Sequence, residues 1–126
     1  MEQYLIDTNV VSAYFSNSIP LVFVQFMDDV INAVPNISII TQIELLCWQT
    51  DDATMQKVGD FISESNVLPI ETDVISNCVN IRKHKKMKTP DAIIAATAIA
   101  NGYKLLTNNK VDFTNIKGLK IITFQE

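Results

Sequence analysis

The stretch KTPDAIIAATAIANGYKLLT, residues 88–107, decides the fold. Thr89 and Pro90 suit an N-cap and the first helical position, and Asn101-Gly102 suits a C-terminal exit. Between them AIIAATAIA is apolar on almost every side, which marks a buried helix. Asp91, at the second helical position, therefore sits on a rigid first turn fixed against a core. After the exit, Lys104 to Thr107 reads as a strand.

The same alternation extends both ways along the chain. Strands are expected at Gln3 to Ile6, Ile37 to Ile40, Val67 to Ile70 and Lys120 to Phe124. Helices are expected from Thr8 to Phe15, Leu21 to Val34, Gln42 to Trp48, Ala53 to Glu64, Asp73 to about Lys85 and Pro90 to Asn101. Short strands alternating with helices give an α/β fold with a parallel sheet covered on both faces. At 126 residues, 48% of them hydrophobic, the chain fits a single globular domain over residues 1–126. Three glycines in the whole chain leave little flexible loop.

No apolar run approaches the roughly 20 residues that span a bilayer, and MEQY lacks the basic start of a secretory signal. A cytoplasmic protein without a membrane segment is expected. Cys47 and Cys78 form no CxxC pair and have no histidine at zinc-ligand spacing, so two buried free thiols are expected. His84, the only histidine, lies among cations in RKHKKMK and supports no triad.

A net charge of −4 argues against nucleic-acid binding by the whole surface. Its distribution is more telling. Arg82, Lys83, Lys85, Lys86 and Lys88 are five of the ten cations, immediately before Asp91, whereas Asp28 to Asp73 is acidic but for Lys57. Two readings stand: a basic strip guiding a polyanion to Asp91, with Lys83 and Lys86 as contacts, or a solvated helix end whose cations complement the dipole.

Three acids stand where strands hand over to helices: Asp7 in YLIDTN, Glu44 in ISIITQIEL and Asp91 in KTPDAIIAAT. Each has a structural reading. Asp7 suits an N-cap, Thr41 to Glu44 matches a capping box, and Asp91 meets a helix dipole. Jointly they say more, because the carboxyl ends of parallel strands share one edge and ligands bind in the crevice beyond it. Acids gathered there repel one another unless cations join them, and Mg²⁺ or Mn²⁺ held by carboxylates is the usual solution where phosphate esters are cut. A fourth polar site follows in KLLTNNKVDF, residues 104–113.

YLIDTNVV, TQIELL, TPDAIIAATA and LLTNNKVDF, in this order, resemble the motifs of the PIN domain, especially its VapC-like toxin ribonucleases of type II toxin-antitoxin systems. The resemblance spans nearly the whole chain. It implies a three-layer α/β/α sandwich and Mg²⁺- or Mn²⁺-dependent cleavage of RNA. Asp7 and Asp91 match the family's principal metal ligands, and Glu44 the acid that completes the site, often through water. Asn9 and Thr107 match the flanking polar positions. The family often has an acid at the place of Asn109, and some members have Asn there with an Asp three residues on, the pattern of Asp112. Asn109 and Asp112 both stand as candidates.

VVSAYF (Val10 to Phe15) and PLVFVQFMDDVINAV (Pro20 to Val34) are richer in apolar residues than one covered helix face needs. They either cover the sheet or form an interface. In the resembled toxins this region builds a homodimer and the groove for an antitoxin segment, so both partners are expected, with Trp48 either bordering that groove or packing inward. Two other classes compete: a noncatalytic PIN-like module that binds RNA or protein, and a phosphomonoesterase with Asp7 as nucleophile. The second is disfavoured because IDTN lacks another Asp two residues on.

Overall fold

The computed structural model describes residues 2–124. Strands β1 (Tyr4–Ile6), β2 (Asn36–Ser38), β3 (Asn66–Leu68), β4 (Lys104–Leu106) and β5 (Ile121–Ile122) form a sheet in the order β3-β2-β1-β4-β5. Every pairing is parallel, with Ile6 opposite Leu106 and Leu5 opposite Asn36. The chain fills the sheet on one side of β1 and then returns to its other side with β4. That reversal is a topological switch point, and it leaves a crevice at the carboxyl ends of β1 and β4.

Helices α1 (Thr8–Phe15), α2 (Leu21–Asn32), α3 (Ile39–Leu46), α4 (Asp52–Glu64), α5 (Thr72–His84), α6 (Thr89–Asn101) and α7 (Lys110–Phe113) complete the described residues. Successive strand residues supply opposite faces, as a period of two requires. Leu5 and Leu105 pack with Val74, Cys78 and Ile81 of α5 and the alanine-rich interior of α6. Ile6 and Leu106 pack with Val10, Val11, Met27, Val58 and Phe61 of α1, α2 and α4. Helices thus cover both faces of the sheet, giving the expected three layers. Alanine lets α6 approach closely: Ala92, Ala95, Ala96 and Ala98 are all fully buried. Gly102 ends this helix at φ 70°, a left-handed exit that glycine takes without strain.

Several boundaries differ from expectation, and one matters for the site. β2 stops at Ser38, whose Oγ accepts from the Ile40 N–H at 3.0 Å and caps α3. Ile39 and Ile40 are therefore helical despite their β-branched side chains, because a Ser cap costing about 1 kcal/mol to lose outweighs their small propensity penalty. Thr41 is not a cap but a fully buried residue inside the first turn of the helix, so the expected capping box with Glu44 does not form. Lys88, not Thr89, occupies the N-cap of α6, which moves Asp91 to the third helical position. α2 stops at Asn32, short of Val34, and β5 is shorter than expected. α7 was not expected at all. Cys78 is buried but Cys47 is exposed, because it follows the last turn of α3 rather than facing the core.

Candidate active site

Asp7 is the anchor. It follows β1 directly, its backbone N–H donates to Leu106 O at 2.9 Å, and it is only 4% exposed. Its Oδ1 accepts from the Thr8 N–H at 2.8 Å, capping α1, and its Oδ2 accepts from Thr107 Oγ1 at 2.8 Å across the switch point. Thr107, fully buried at the end of β4, also accepts the Asn109 N–H at 3.0 Å. Asn9 Oδ1 accepts the Asn108 N–H at 3.2 Å and ties α1 to the same loop.

Glu44 reaches this centre from the second turn of α3. Its Oε1 accepts from Thr8 Oγ1 at 2.7 Å, and the same hydroxyl lies 3.0 Å from Thr41 Oγ1. On the other flank Asn109 caps α7, accepting the Asp112 N–H at 3.3 Å while its Nδ2 donates to Asp112 Oδ2 at 2.7 Å. Hydrogen bonds thus run unbroken from Glu44 through Thr8, Asp7, Thr107 and Asn109 to Asp112. Asp91 joins through space, from the first turn of the buried α6.

The charges of the four acids also act on one another. The Asp7 carboxyl is raised from 3.8 to about 6, chiefly by burial, with the bonds to Thr107 and Thr8 opposing the rise and the charges of Asp91 and Glu44 adding to it. Asp91 is raised by burial, then by Asp112 and Glu44, and lowered by Lys88. Among the described residues no Lys or Arg forms an ion pair with any of the four; the one ion pair is Lys104 with Glu2. The crevice therefore concentrates negative charge without neutralising it.

No three carboxylates among the described residues close on one point as a ready-made metal cage. Mg²⁺ does not require one, since it keeps several waters and takes one or two carboxylates. Hard carboxylate oxygens, mutually repelling and unpaired with cations, are the donor set that suits Mg²⁺ or Mn²⁺.

The basic run is less free than its sequence implies. Lys85 Nζ donates to Thr114 O at 2.9 Å and Arg82 Nε to Met87 O at 3.3 Å, while His84 Nδ1 lies 2.8 Å from Asn80 O. Lys83 and Lys86 are exposed, on the last turn of α5 and in the loop before α6. Neither has a described bond to the acids, whereas Lys88 is the member of the run whose charge reaches Asp91. Thr8 is the residue that sequence reasoning missed, while Thr41 was read only as a cap and Lys88 only as a member of the basic run. Thr8 had a signal in its position directly after Asp7; Thr41 was hidden by the wrong helix start.

The PIN domain pattern matches residues 4–119, which include all four acids. The chain belongs to the PIN domain family. A 35-residue stretch is 57% identical to Ribonuclease VapC1 of Rickettsia felis, covering 28% of this chain and only about a quarter, 26%, of that protein. Among solved structures, the DNA-bound VapBC of Salmonella typhimurium superposes with a TM-score of 0.81 at 25% identity, over 99% of this chain and 100% of that one. A toxin-antitoxin complex from Klebsiella pneumoniae gives 0.79 at 30% identity, over 98% and 99%. No described helix is long and apolar enough to cross a membrane.

Proposed function

We propose that this PIN domain is a divalent-metal-dependent endoribonuclease and the toxin of a type II toxin-antitoxin pair. The observation that carries the reading is Asp7. A carboxylate held 4% exposed beside two other acids is costly, and an Asn or Ser would cap α1 without that cost. A bound cation gives the charge a use, which a noncatalytic module would not. The ribonuclease name of the Rickettsia felis relative and the toxin-antitoxin assembly of the Klebsiella pneumoniae structure support the same class.

Asp7 and Asp91 would hold the cation, with Glu44 and Asp112 reaching it through water. When bound, Mg²⁺ or Mn²⁺ supplies positive charge for the phosphoryl oxygens and acidifies water. Cleavage needs no protein nucleophile. Water adds to phosphorus as the bond to the 3′ oxygen breaks; Glu44 or Asp112, both exposed, accepts the proton of the attacking water, and the departing 3′ oxygen takes a proton from solvent. Thr107 and Thr8 keep Asp7 oriented through opposite oxygens, Asn9 steadies the loop carrying Thr107 and Asn109, and Lys83 and Lys86 meet backbone phosphates. Asn109 is engaged as the α7 cap, which favours Asp112 as the fourth acid.

For the partners, two adjoining clefts between α1, α2 and α4 share Phe15 and Lys57, and Leu21, which lines one of them, is 91% exposed. We assign this region to the antitoxin segment and to homodimer contact. Trp48 packs half-buried against the core that α1, α2 and α4 cover. The test is cleavage of a mixed RNA by the purified chain: activity with Mn²⁺ or Mg²⁺ and none with EDTA is expected, and equal activity in EDTA rejects the metal mechanism.

A further inference from the structure

Thr41 is fully buried, yet among the described hydrogen bonds its hydroxyl meets only Thr8, at 3.0 Å. Thr8 in turn lies 2.7 Å from Glu44 Oε1. Each threonine has a single hydroxyl proton to donate, and a carboxylate can only accept. The shorter bond must take the Thr8 proton, so the proton between the two hydroxyls comes from Thr41. The order is fixed: Thr41 donates to Thr8, and Thr8 donates to Glu44. Donation into Thr8 polarises its own O–H and strengthens the bond to the carboxylate. Thr8 simultaneously gives its backbone N–H to Asp7 Oδ1, so this one residue spaces two of the acids.

We infer that Thr41 is a positioning residue, whose buried hydroxyl commits the Thr8 proton to Glu44 and holds that otherwise exposed carboxylate beside Asp7. This rests on the reading of the acids as cation ligands. Partners one bond removed from a metal's ligands typically matter by 10- to 100-fold in affinity or activity. Thr8 is one bond from Glu44 and Thr41 two, so the low end of that range, about tenfold, is expected of Thr41.

The experiment is Mn²⁺ titration of the RNA-free protein, followed by the electron paramagnetic resonance of unbound Mn²⁺. Thr41→Val keeps the side-chain shape and should weaken Mn²⁺ binding at least about tenfold, with kcat for RNA cleavage lowered more than KM is raised. Thr41→Ser should restore both to within about threefold. In a Glu44→Gln background Thr41→Val should add nothing, because its only route is through Glu44. Thr8→Val, at a half-buried position, carries the same test if Thr41→Val does not fold. Wild-type affinity in the valine variants, failure of serine to rescue, or an undiminished loss in the Glu44→Gln background would overturn the inference. Wild-type Mn²⁺ affinity in Glu44→Gln and Asp7→Asn alike would instead remove the metal reading itself.

Discussion

Replacing Asp7 with Asn should stabilise the metal-free protein at neutral pH. The Asp7 carboxyl is raised from 3.8 to about 6, chiefly by burial, so the native state keeps a proton that the unfolded chain releases between about pH 4 and 6. The native state binds more protons in that window, and stability therefore falls as the pH rises through it. The contribution is full below about pH 4 and lost above about 6. A shift of about two units, at about 1.4 kcal/mol each, makes the loss about 3 kcal/mol. Asn has no such proton to lose; its side-chain oxygen still accepts the Thr8 N–H, and its amide donates to Thr107 Oγ1 where the carboxylate accepted from it. The variant should gain about 2 to 3 kcal/mol at pH 7 and nothing near pH 3.5, read as a urea midpoint about 1 to 2 M higher at neutral pH in EDTA. An Asp7→Asn variant no more stable than the wild type at pH 7, or a gain that is the same at both pH values, would refute the reasoning.

The other perturbations probe the flanks of the site. Changing Lys83 and Lys86 to Gln should weaken RNA binding similarly across sequences, with the salt slope reduced by about 0.7 for each phosphate no longer neutralised; an unchanged slope returns both residues to the solvated helix end. Asp112→Ala should lower single-turnover cleavage at least about tenfold. Asn109→Ala, which removes the α7 cap, should cost about 1 kcal/mol of stability and slow cleavage less. Full activity in the Asp112 variant would exclude it as the fourth acid.

The fold was legible where burial and chain punctuation agree. The α6 segment is apolar all round and framed by Pro90 and Gly102, so both its helical state and its depth could be read directly. Asp7 after a short apolar strand was equally plain. The entry to α3 was not, because Ile37 to Ile40 carries a strand-forming pattern throughout. The sheet pairs only Asn36 to Ser38 with β3, and the Ser38 side chain then opens the helix. Local propensity cannot register where a neighbouring strand ends. That one displacement hid Thr41 and set a capping-box reading beside the site reading of Glu44. α7 was missed because a single turn of four residues leaves no periodicity to detect. Which cations reach the acids was likewise illegible: Lys88 does so from the cap of α6, while Lys85 is spent on Thr114 O.

The central claim is that acids from separate strand ends act together on one cation and one phosphodiester. Asp91 tests it most directly, because it joins the others through charge rather than through the hydrogen-bonded chain. The measurement is single-turnover RNA cleavage by Asp91→Asn in saturating Mn²⁺, with the fold checked by circular dichroism. The account predicts a loss of at least about a hundredfold in a fully folded protein; cleavage at the wild-type rate would contradict it.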